Sequence, residues 1–134
     1  MSPPSGVVRV PVSIGELFDK ITILRIKEDR LRSEEKRANV RRELGALEDE
    51  ARALALPAWI EDEARELRRV NETLWDVEEE LRALEAKQDF GPRFVDLARA
   101  VYKTNDERAA IKARINDRAG STYREEKSYD EASR

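Results

Sequence analysis

Between Leu67 and Leu84 the chain places Leu67, Val70, Leu74, Val77, Leu81 and Leu84 at gaps that alternate between three and four residues without a fault. That spacing is the seam of a coiled-coil-like helix, and so narrow an apolar stripe needs other helices laid against it. The rest of the chain is written in the same style. Charged residues make up 41%, hydrophobic residues 40% and aromatic residues 6%, the profile of long helices rather than of a sheet or an ordinary globule.

Breakers divide this helical text. Pro57 separates a first helix, from about Ile14 to Ala55, from a second, from about Ala58 to Lys87. The first begins with a capping box, Ser13 with Glu16, and with Val12 and Leu17 placed as a hydrophobic staple. Its stripe of Leu17, Ile21, Leu24 and Leu31 is out of register with Val40, Leu44, Leu47, Ala51 and Leu54. The nearly apolar-free "SEEKRAN" between them predicts a kink, a short break or a phase change near Ser33 to Asn39. "DFGPRF" closes the second helix and starts a third, from Pro92 to Ala119, which stops at Gly120.

The expected architecture is therefore all-α. It is an elongated, coiled-coil-like, antiparallel three-helix bundle over residues 13–119, with an extended N-terminal arm (1–12) and a polar C-terminal tail or strap (120–134). The arm carries the alternation Val8, Val10, Val12, and the strap offers Tyr123 and Tyr129. The second helix, residues 58–88, holds ten acidic and five basic residues, and the third, residues 92–119, holds four and seven. Net charges of −5 and +3 favour their antiparallel pairing, modestly. An unbroken first helix, on the order of 60 Å long, outreaches the hairpin beside it. Together with the narrow stripes, this predicts a homodimer.

Net charge is −3 with no Cys and no His. No global electrostatic argument exists for nucleic acid or an anionic membrane as partner. Disulfides, thiolate nucleophiles, imidazole bases and ordinary zinc sites are excluded. No cofactor is expected; the composition leaves open Mg²⁺ held by carboxylates. "MSPPSG" lacks the basic segment and apolar run of a signal peptide, and no apolar run approaches the ~20 residues of a membrane span. A bacterial cytoplasm is the expected home.

The third helix raises the functional question. Its inward stripe runs Leu97, Ala98, Val101, Tyr102 and then turns polar at Asn105, Arg108, Lys112 and Asn116. The second helix carries Asn71, Glu78 and Glu85 beside its seam, with Trp75 one turn from Asn71 and Glu78. The first carries Lys20, Lys27 and Glu28 around Leu24. Side chains three or four apart share a helix face, so each set forms a patch. One reading is a structural network pairing Glu78 and Glu28 with Arg108 and Lys112. The other is an inter-helix pocket for a small anionic ligand, built from Lys20, Lys27, Glu28, Asn71, Trp75, Glu78, Asn105, Arg108 and Lys112. A third is that the helix rolls its polar face outward past Tyr102.

"VPVSIGELFDKITILRIKEDRL" (residues 10–31), "LWDVEEELRALE" (74–85) and "FVDLARAVYKTNDERAAIKARIN" with the following "GS" and "EEKSY" (94–129) resemble a small bacterial family catalogued as a domain of unknown function, number 6165. The resemblance spans nearly the whole chain. It implies that "VYKTND", the basic stripe after it and "EEKSY" are family features, which favours a docked strap. It brings no activity. "ELFDKITILRIKEDRL" is also faintly similar to the first helix of all-α chorismate mutases, where Lys20, Lys27, Arg108 and Lys112 would surround a dicarboxylate. The pairs Asp76 with Glu79 and Glu63 with Glu66 have the spacing used by Mg²⁺-dependent all-α nucleotide pyrophosphohydrolases, without a matching pair on the third helix. The function expected is a homodimeric helical interaction or scaffold protein that recognises another protein. The alternative is a small anionic-metabolite binding protein or enzyme of one of those two kinds.

Overall fold

A computed structural model describes residues 5–126. Four helices pack together: α1 (Ile14–Arg30), α2 (Glu34–Ala53), α3 (Trp59–Ala86) and α4 (Pro92–Ala119). The described residues contain no strand. Residues 7–12 are exposed and have no regular secondary structure, while Tyr129 and the end of the expected strap lie outside the described residues.

The three-helix expectation is overturned at the first helix. Leu31 takes an extended conformation (ψ 139°) and its N–H ends α1 on the Lys27 carbonyl. Ser33, also extended, caps a new helix by accepting from the Lys36 N–H at 3.3 Å, with Glu34 and Glu35 in the positive first turn. Arg37 then folds back to donate to the Glu28 carbonyl at 3.2 Å. The two apolar registers thus belong to two helices of a hairpin. Arg25 meets Glu48 at 3.1 Å and Arg41 meets Glu28 at 3.9 Å, a pairing order that makes α1 and α2 antiparallel.

α1 lies at the centre and packs against each of the other three helices, whereas α2 approaches α1 alone. Leu17, Ile21 and Leu24 of α1 meet Val40 and Leu44 of α2, Ile60, Leu67 and Val70 of α3, and Ile111 and Ile115 of α4 in one apolar core. α3 and α4 form a second antiparallel hairpin, tied by Glu80 to Arg93 near its turn and by Glu63 to Arg114 at its base. Phe90 packs edge-on against Phe94 beyond the turn, ring centres 5.2 Å apart.

Length decides what is left uncovered. α3 and α4 have 28 residues each, about 42 Å, and α1 has 17, about 25 Å. α1 covers the base of the hairpin, and the distal half projects past it. There Leu74, Val77, Leu81 and Leu84 are only half-buried, and Val95 and Tyr102 are exposed. The expected overhang of the first helix is therefore reversed: the α3–α4 hairpin is the long element.

Candidate functional site

The polar half of α4 does face inward, and its partner is Asp19 of α1. This carboxylate is 1% exposed. Arg108 grips both of its oxygens, with Nε at 2.9 Å from Oδ1 and Nη2 on Oδ2. Asn71 of α3 donates through Nδ2 to Asp19 Oδ1 at 3.0 Å and to Thr22 Oγ1 at 3.1 Å. Thr22 donates to the Asp19 carbonyl at 2.9 Å, and Arg108 Nη1 reaches Asn105 Oδ1 at 3.4 Å. Three helices are joined at one carboxylate. The hydrogen bond to Asp19 raises the Arg108 pKa against the opposing effect of burial.

A second knot lies toward the α1 N-terminus. Lys112 donates to Glu16 at 2.6 Å and stands 3.7 Å from Glu125, and Lys20 is 4.0 Å from Glu16. Gly15 N–H donates to Asn116 Oδ1 at 2.7 Å, and Ile14 N–H donates to Ser121 Oγ at 3.1 Å. Ser13 caps α1 by accepting from Glu16 N–H at 3.0 Å and donates its own proton to Glu125. Asn116 Nδ2 donates to the other Glu125 oxygen at 3.1 Å. Residues 121–125 are therefore docked onto the start of α1. Burial acts to raise the Glu125 pKa, but hydrogen bonds from Ser13 and Asn116 and the charge of Lys112 outweigh it and leave the carboxyl below its ordinary value.

Of the residues expected to form a site, Asn71, Asn105 and Arg108 meet at Asp19, and Lys20 and Lys112 meet at Glu16. Trp75 and Glu78 line an adjoining cleft of about 410 Å³ with Ile23, Ile26 and Leu74, whose base includes Asn71 and Arg108. Trp75 Nε1 donates to Glu79 at 2.8 Å, and the Arg30 guanidinium stands 5.8 Å from its ring centre. Lys27 takes no part in either knot, and Glu28 faces α2 through Arg41. The network partners expected for Arg108 and Lys112, Glu78 and Glu28, are replaced by Asp19 and Glu16. Asp19 was missed although it stands seven residues before the buried Ile26 and three before the buried Thr22, which places it on an inward face.

Every buried side-chain nitrogen or oxygen among the described residues has a hydrogen-bond partner. Such a seam positions helices. Of the cations expected to surround a dicarboxylate, Arg108 is paired with Asp19, and Lys112 and Lys20 stand at Glu16. The carboxylate pairs spaced for Mg²⁺ are likewise engaged. Asp76 pairs with Arg30, Glu79 accepts from Trp75, and Glu63 meets Arg114 at 2.7 Å and Arg118 at 3.9 Å. Among the described residues no three carboxylates gather in a way that could hold a metal ion, and no helix is long and apolar enough to cross a membrane.

The cleft beside Trp75 continues along the hairpin. A neighbouring hollow of about 420 Å³ shares Glu78 and Arg82 with it and is floored by Leu81, Phe94, Ala98 and Val101. Together they make an apolar trough running from α1 out along the overhang. The profile of a family described as "Family of unknown function (DUF6165)" matches residues 8–133. No curated protein and no solved structure matches the chain.

Proposed function

The chain belongs to the DUF6165 family, whose description assigns no activity, and on that premise we propose that it is a helical interaction protein that pairs with a second copy of itself through the α3–α4 overhang. The observation that carries this reading is the trough: apolar side chains of α3 and α4 left half-buried where α1 no longer covers them. Apolar surface of this kind, rimmed by charge, is the usual mark of a protein contact.

Charge favours a second copy as the occupant. Along the overhang, residues 76–86 of α3 hold five acidic residues and one basic, and residues 92–103 of α4 hold three basic and one acidic. The trough thus has an acidic edge and a basic edge. A two-fold axis running along it sets each edge against its opposite on the partner, and the two exposed side chains Val95 and Tyr102 gain apolar cover. The saturated polar seam supports the same reading, because it fixes the helices that present this surface.

Sedimentation equilibrium tests the proposal. Wild-type protein should run at twice the 15.5 kDa chain mass in the micromolar range. Leu81→Glu, in the trough, should run as a monomer with its helical circular dichroism intact. A wild-type monomer, or a Leu81→Glu variant that stays dimeric, overturns it.

A further inference from the structure

α2 and α3 both lean on α1 but diverge from one another, and the gap between them is a cleft of about 600 Å³. Phe18 and Ile21 of α1 and Ile60 of α3 form its apolar floor. Ala55, in the left-handed region (φ 49°), and Leu56 turn the chain at the apex where the two helices separate. Four arginines from three different helices stand around the opening: Arg25, Arg52, Arg65 and Arg68. Only Glu48 and Glu61 oppose them in the lining. A chain of net charge −3 therefore surrounds this cleft with an excess of two positive charges.

We propose that this cleft binds a small amphipathic anion, with an aromatic or acyl body on the Phe18–Ile21–Ile60 floor and a phosphate or carboxylate held by the arginines. Arg52 and Arg65 are the residues free to do this. Their ion-pair partners are Asp49 and Asp62, one turn away on their own helices, and both pairs are well exposed. Such pairs contribute little to stability, so an incoming anion exchanges them at small cost and gains the bidentate geometry that guanidinium offers to phosphate. Arg25 and Arg68 have partners on other helices, Glu48 and Asp29, and so stay fixed as the sides of the site. The cleft lies on the α2 side of α1, whereas the trough follows the hairpin, so occupancy here is independent of self-association.

Calorimetric titration with 1-naphthyl phosphate tests the assignment, with inorganic phosphate and 1-naphthol as the two halves of the probe. Saturable binding of naphthyl phosphate is expected, with each half binding about tenfold more weakly or worse. The Arg52→Gln/Arg65→Gln variant should bind about tenfold more weakly while keeping the wild-type thermal midpoint. Absence of saturable binding up to millimolar probe, or equal binding by wild type and the double variant, overturns it.

Discussion

At Asp19 a carboxylate with 1% exposure is tolerable because Arg108 and Asn71 meet it. Removing one partner of such a pair leaves an uncompensated buried charge, which costs far more than the pair itself contributes. Arg108→Met should therefore lower stability by about 3 kcal/mol in urea unfolding. Adding Asp19→Asn should recover part of that loss. A neutral or stabilising Arg108→Met would mean that Asp19 is not dry. At Glu125 the prediction concerns pH. Its folded pKa is depressed, so the stability it confers is complete above the ordinary glutamate value of about 4.3 and is lost as pH falls through the lower folded value. The difference in thermal midpoint between wild type and Glu125→Gln should favour wild type at pH 7 and shrink as the pH is lowered through the acid range. A difference that grows on acidification would contradict the docking of the strap. The sequence showed that Asn71, Arg108 and Lys112 turn inward, because helical periodicity fixes faces. It did not show which carboxylates they meet: charge sign alone could not choose Asp19 and Glu16 over Glu78 and Glu28, since pairing depends on how helices are rotated.

Between elements, α1 and α4 approach closely at Gly15. A Cβ there would stand 2.6 Å from the Lys112 carbonyl oxygen and 2.9 Å from Asn116 Oδ1, and the nearer atom is backbone, which cannot swing aside. Gly15→Ala should cost about 2 kcal/mol through overpacking, whereas the same change at Gly45, whose Cβ position is open, should gain helix propensity of about 1 kcal/mol. Paired chemical denaturation curves check both signs. The N-cap at Ser13, the break at Pro57, Pro92 at the start of α4 and the stop at Gly120 were all readable from local chemistry, and each stands where that chemistry put it, although the Glu16 side chain meets Lys112 and Lys20 instead of closing a capping box. The division of the first helix was only half readable. The polar gap marked it, but Ser33 as an N-cap was lost inside an expected kink, because Glu34 and Glu35 are good helix formers in either reading.

For the whole molecule, the lengths of α1 and α3 decide the surface. Because the first helix splits, α1 is short, and the seam from Leu74 to Leu84 extends past its cover. The faultless three-four spacing announced partners for that seam, and intramolecular packing covers it fully only at its base. The Arg-rimmed cleft between α2 and α3 had no sequence signature, since its four arginines come from helices whose divergence follows from the split. No cysteine occurs in the chain, so one introduced thiol gives a single spin label per protomer. With Lys87→Cys labelled at the exposed end of α3, pulsed dipolar spectroscopy reads only distances between protomers. Pairing through the overhang predicts one resolved inter-label distance that disappears when Leu81→Glu is added. A featureless decay from the wild-type background, or a distance that survives Leu81→Glu, would contradict it.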